Sequence, residues 1–238
     1  MAKDITDEVA DLLQGRAVLV IDDQRLSRHI VMRFFAGTAC VEPLQAVDGG
    51  EGLQLLSEKG GSIGAVVCDF NMPGINGLQV LKAVRTEFGG IRNDLPVIML
   101  TGNNDGRLVG AALALDVDAF IVKPVSKTTL MGRLRRVLSA QKTVKSPAEC
   151  ALVDVDAATE TLNSLSVPVQ SKAEAPIIPR GREVATEAVE VPATLAQDIR
   201  APSGELLLVA GTTLTRRLVD RLVELNALGI PLATVWVL

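Results

Sequence analysis

Five polar residues stand at the ends of short apolar runs. Asp22 and Asp23 follow Ala17 to Ile21, Asp69 follows Ala65 to Cys68, and Thr101 follows Pro96 to Leu100. Lys123 closes the run from Ala119 to Val122 and is followed by Pro124. Each has an ordinary explanation when taken alone. An acidic pair starts a helix, an Asp ends a strand, Thr-Gly makes a turn, and Lys-Pro makes a solvated loop. Together they mark the carboxyl ends of successive strands, where an open parallel α/β sheet binds its ligands. If the first and third strands are neighbours, three carboxylates converge and repel unless a cation sits among them. A hard divalent ion with oxygen ligands, Mg²⁺ above all, answers that need. Lys123 adds a positive charge and Thr101 a hydroxyl donor, a set suited to a phosphoryl group in transfer. An Asp carboxylate is itself a competent nucleophile and forms an acyl phosphate.

The elements that must position these residues are legible from periodicity. Strands are predicted at Ala17–Ile21, Val41–Val47, Ala65–Cys68, Pro96–Leu100 and Ala119–Val122, each bounded by turn formers. Helical patterns lie between them at Gln24–Ala36, Gly50–Glu58, Gly77–Phe88, Arg107–Leu115 and Ser126–Ala140. Five βα units in residues 15–140 imply an α/β fold, a parallel sheet with helices on both faces.

Composition removes several classes of function. The chain has 238 residues, one His, three Cys, no Tyr and one Trp. One His excludes metal centres that draw several imidazoles from one chain. A formal charge of −4 argues against nucleic acid binding through bulk electrostatics. Cys40, Cys68 and Cys150 have no close spacing, which suits a reducing compartment. No apolar run approaches the roughly 20 residues that span a bilayer. The expectation is a cytoplasmic protein with no membrane contact. His29, in the helix after the acidic pair, reads as a helix-face residue.

Residues 15–140 resemble the receiver domain of two-component response regulators, of the chemotaxis-regulator type. The resemblance rests on Val18-Leu19-Val20-Ile21-Asp22-Asp23, Asp69-Phe70-Asn71-Met72-Pro73-Gly74 with Gly77 behind it, Met99-Leu100-Thr101-Gly102, and Phe120-Ile121-Val122-Lys123-Pro124. It implies a flavodoxin-like, doubly wound, five-stranded parallel sheet of order 2-1-3-4-5. It implies that Asp69 is the phosphoacceptor, phosphorylated by a partner histidine kinase or histidine phosphotransfer protein. Asp23, Asp69 and the backbone carbonyl of Asn71 would ligate Mg²⁺, with Asp22 acting through a water. Lys123 and Thr101 would meet the phosphoryl group, and Gly102 would leave it room. Phe120 would be a switch aromatic that works by packing, and Lys123–Pro124 would be cis. Asp116 stands where the family usually has Gly; Asp tolerates a left-handed backbone better than most residues, at a local cost.

The rest of the chain reads as an N-terminal extension at 1–14, a linker at 141–190 and a small α+β unit at 191–238. The linker contains no aromatic residue and has prolines at 147, 168, 176 and 179. In the last unit, Leu195–Arg200 and Leu206–Ala210 flank the turn signal Pro202-Ser203-Gly204. A helix follows from Thr213 or Thr215 through Ala227, then Gly229-Ile230-Pro231, and Thr234–Leu238 reads as a last strand. This unit weakly resembles a module associated with HD-GYP regulators, without the catalytic domain. It has four Arg against four acids, unlike a basic DNA-reading domain, so the expected output is protein interaction. The expected partners are a phosphodonor, an unidentified downstream protein and a second copy in a homodimer. The alternative is an aspartyl-nucleophile phosphohydrolase of haloacid-dehalogenase type. That enzyme wants a second Asp two residues after its nucleophile, where this chain has Asn71.

Overall fold

The strands that carry the site are apolar along their whole length because both of their faces are covered. All five residues of β1 (Ala17–Ile21) are buried, as are all seven of β3 (Ile63–Asp69) and all five of β4 (Val97–Thr101). With β2 (Leu44–Ala46) and β5 (Ala119–Val122) they form one parallel sheet of order β2-β1-β3-β4-β5. These are the findings of a computed structural model, which describes residues 4–36, 42–102, 106–140, 144–156, 181–201, 206–227 and 232–238. Cys40, the turn at 202–204 and the helix stop at 229–231 lie outside the described residues.

The helices that follow the five strands are α2 (Arg25–Arg33), α3 (Gly49–Lys59), α4 (Gly77–Arg85), α5 (Gly106–Ala114) and α6 (Lys127–Ser139). Their starts carry side-chain caps where the sequence supplies them. Asp48 accepts the Glu51 amide at 2.8 Å, Asn76 accepts the Gln79 amide at 2.9 Å, and Ser126 accepts the Thr129 amide at 3.1 Å. β3 begins earlier than its pattern suggests, because Gly64 continues it. A Cβ there would stand 2.7 Å from the Leu13 side chain, so the glycine is kept for space.

Residues 4–14 form a helix of their own, α1 (Ile5–Leu13), capped by Asp4. Its Val9 and Leu13 are buried in one cluster with Val18, Val20, Leu130, Met131 and Leu134. The N-terminal extension therefore closes the core under α6, and Arg135 reaches Glu8 at 3.1 Å on the rim.

The chain divides into two compact units, 1–103 with 115–153, and 104–114 with 154–238. In the first, a short helix α7 (Pro147–Ala151) follows α6. In the second, β6 (Arg182–Ala185) pairs antiparallel with β11 (Thr234–Val237), which carries Trp236. β7 (Ala193–Thr194) pairs with β10 (Thr213–Leu214), and β8 (Ile199–Arg200) with β9 (Leu206–Leu208). Helix α8 (Arg216–Ala227) is capped by the Thr215 hydroxyl and buries Val219, Leu222 and Leu225. Gly110 of α5 lies against β9 in this unit; a Cβ on it would stand 2.7 Å from the Leu206 carbonyl oxygen. Among the described residues, no helix is long and apolar enough to cross a membrane.

Candidate functional site

The sheet order makes β1 and β3 neighbours, with Ile21 level with Cys68. Asp22, Asp23 and Asp69 thus leave adjacent strands side by side. Each offers a carboxylate oxygen, and these lie within 4.8 Å of one another. Asp22 is fully buried, Asp69 is 4% exposed, and Asp23 is exposed.

Lys123 joins this group from the end of β5. Its Nζ lies 2.7 Å from Asp69 Oδ2 and 3.0 Å from Asp22 Oδ2. Burial alone would lower the lysine, but its bonds to Asp69 and Asp22 outweigh that and hold the ammonium above the ordinary lysine range. Burial pushes Asp69 above the usual carboxylate range; Lys123 pulls it back, and Asp22 and Asp23 add to the rise. Both shifts have one origin: a crowded, half-enclosed group of negative charge with a single ammonium among it.

Asp22 is fixed from several sides. Its Oδ1 accepts the Gln24 amide at 2.8 Å, its Oδ2 accepts the Ser27 hydroxyl at 2.7 Å, and its carbonyl accepts Arg28 Nη1 at 2.7 Å. Ser27 and Arg28 are neighbours of Asp22 that sequence reasoning missed. The only trace was their position in the first turn of the helix after the acidic pair. Asn71 follows Asp69 by two residues and is exposed. Thr101 is buried at the end of β4, and its hydroxyl donates to the Gly102 carbonyl at 3.0 Å.

Phe120 is fully buried and stacks on Phe70 with ring centroids 6.3 Å apart and planes 5° from parallel. The aromatic of β5 therefore touches the residue next to Asp69. Lys123–Pro124 is cis. Behind the loop after Asp69, Gly77 donates its amide to the Phe70 carbonyl at 3.1 Å. A Cβ on Gly77 would stand 2.1 Å from the Asp69 carbonyl oxygen, so α4 can start this close only with glycine. Cys68 is fully buried, its thiol donating to the Asp69 carbonyl at 3.4 Å, and burial holds that thiol well above its ordinary pKa. His29 is exposed on α2.

A groove of about 210 Å³ opens beside Lys123, lined by Leu26, Ile30, Val31, Pro124 and Val125. Leu26 is 72% exposed and Ile30 41%.

The profile of the response regulator receiver domain matches residues 18–135. The chain is 34% identical over 121 residues to a chemotaxis protein CheY homolog of Campylobacter jejuni subsp. jejuni, covering 51% of this chain and 91% of that protein. It is 31% identical over 128 residues to chemotaxis protein CheY-3 of Vibrio cholerae, covering 54% and 95%. Among solved structures, a response regulator receiver domain protein from Clostridium thermocellum is similar at 28% identity and a TM-score of 0.44, covering 52% and 94%. The chain belongs to the response regulator receiver family. It carries a two-component receiver domain of the CheY-like kind.

Proposed function

We propose that this chain is a phosphorylation-controlled signalling protein in which Asp69 takes a phosphoryl group from a partner's phosphohistidine. The observation that carries the reading is the Lys123 ammonium bridging Asp69 and Asp22, with Asp23 in the same cluster. An Asp69 carboxylate oxygen attacks phosphorus, the new O–P bond forms as the donor's N–P bond breaks, and the imidazole leaves. Asp23, Asp69 and the Asn71 carbonyl would hold Mg²⁺ directly, with Asp22 acting through a water. The three-carboxylate cluster fits a hard cation with oxygen ligands. A divalent ion held there would offset the negative charge that gathers during transfer. Lys123 then pairs with a phosphoryl oxygen, and the Thr101 hydroxyl turns from Gly102 to donate to another. Phe120 follows through packing against Phe70, since it has no hydroxyl to donate.

The exposed Leu26 and Ile30, beside Lys123, support a protein donor that seats apolar side chains next to the phosphoacceptor. The output is a protein contact made in the cytoplasm rather than DNA binding, and the chain does not hydrolyse small phosphate esters. Asn71 supports that last point, because the dehalogenase-type general acid would have to be an Asp there.

The test is incubation of the full chain with acetyl phosphate, followed by intact mass. One phosphoryl group is expected with Mg²⁺, none after chelation, and none in Asp69→Asn. Label retained by Asp69→Asn, or turnover of simple phosphate esters by the native chain, overturns the reading.

A further inference from the structure

Asp116 sits in the turn before β5 with φ at +53°. A side-chain-bearing residue in this left-handed region is uncommon, and glycine adopts it at no steric cost. Arg85 takes the Asp116 backbone carbonyl, at 2.9 Å from Nη2 and 3.2 Å from Nε, a bond that any residue at this position could accept. The carboxylate does something else: its Oδ2 accepts the backbone N–H of Lys145 at 2.8 Å. That bond begins a docked segment. Ser146 and Glu149 close a capping box around α7, with Pro147 at its first position. Cys150 of α7 is fully buried. At the far end, Lys82 of α4 donates its Nζ to the Val153 carbonyl at 2.7 Å. The segment is thus held at both ends by charge-assisted bonds and in the middle by a buried side chain.

We infer that residues 144–153 are an intramolecular latch whose receptor is the C-terminal end of α4 and the Asp116 turn. Asp116 is the residue that specifies it. The latch occupies this face of the receiver with the protein's own chain. Val153 is held at Lys82 of α4, and any partner for this face must first displace the latch. The inference is independent of the phosphoryl chemistry at Asp69.

Cys150 reports the latch directly, and Cys68, buried in β3, is an internal standard for global unfolding. The full chain is treated with iodoacetamide under native conditions and alkylation is mapped by peptide mass spectrometry. Asp116→Gly keeps the left-handed backbone and the carbonyl that Arg85 uses, and removes only the carboxylate. It is expected to speed alkylation of Cys150 at least tenfold with Cys68 unchanged, and Lys82→Met acts in the same direction from the other end. If both variants leave Cys150 within twofold of the native rate, or if Cys68 accelerates in step with it, there is no latch.

Discussion

Asp69 is held where its own charge is disfavoured, and this gives a signed prediction. A carboxyl whose folded pKa lies above its unfolded value binds more protons when folded. Its contribution to stability therefore falls as pH rises from about 3.9 through the raised folded value. In metal-free buffer near neutral pH, Asp69→Asn is expected to melt above the native chain, with the amide oxygen still able to accept from Lys123. The advantage shrinks as pH is lowered below about 4, where both chains are neutral at this position. Lys123 acts in the other sense: its pKa is raised on folding, so its stabilisation is complete below about 10.4 and is lost as pH rises through the folded value. Melting curves across pH check both; a native chain that melts at or above Asp69→Asn without divalent metal contradicts the first. Asp22, Asp69, Thr101 and Lys123 were legible because each stands at the end of an apolar strand. Ser27, which orients Asp22 through one hydroxyl, was not, because a serine early in a helix carries no motif.

At the scale of elements, Arg85 ties α4 to the stretches that lead into β4 and β5. From the last turn of α4 it donates to the Asn93, Leu95, Leu115 and Asp116 carbonyls and pairs with Asp118 Oδ2 at 2.6 Å. Asp118 in turn accepts the Val97 amide at the start of β4. Arg85 and Asp118 are both buried, so removing the guanidinium strands a carboxylate and several carbonyls. Arg85→Met is expected to cost about 3–5 kcal/mol, read as a lower urea midpoint. A loss below about 1 kcal/mol would mean that water reaches the vacated carbonyls. Nothing in the sequence announces this residue, since an Arg near a helix end reads as solvated and its partners come from separate loops. The strands of the receiver were legible for the opposite reason: apolar runs buried on both faces are a local signal. β6 was not, because it lies in a proline-containing stretch and its partner β11 is about fifty residues away in sequence, beyond any local pattern.

At the scale of the whole molecule, the match covers 91% and 95% of the two chemotaxis relatives, which supports residues 1–153 folding without the rest of the chain. A chain ending at Val153 keeps the Lys82 and Asp116 bonds that a chain ending at Ala140 lacks. Thermal unfolding is expected to place 1–153 above 1–140, at about 2–4 °C for each kcal/mol the segment contributes. Equal midpoints would show that residues 144–153 add nothing to the fold. The amphipathic pattern of α1 and the capping box of α7 were present in the sequence, but what they cover was not, because burial against a distant surface leaves no mark on a short segment. Trp236 has a last consequence. It is the chain's sole tryptophan, there is no tyrosine, and it lies in β11 of the second unit. Its emission is therefore an optical label on the unit that does not contain Asp69. A change in that emission when acetyl phosphate and Mg²⁺ are added would be a signal that has travelled between the halves.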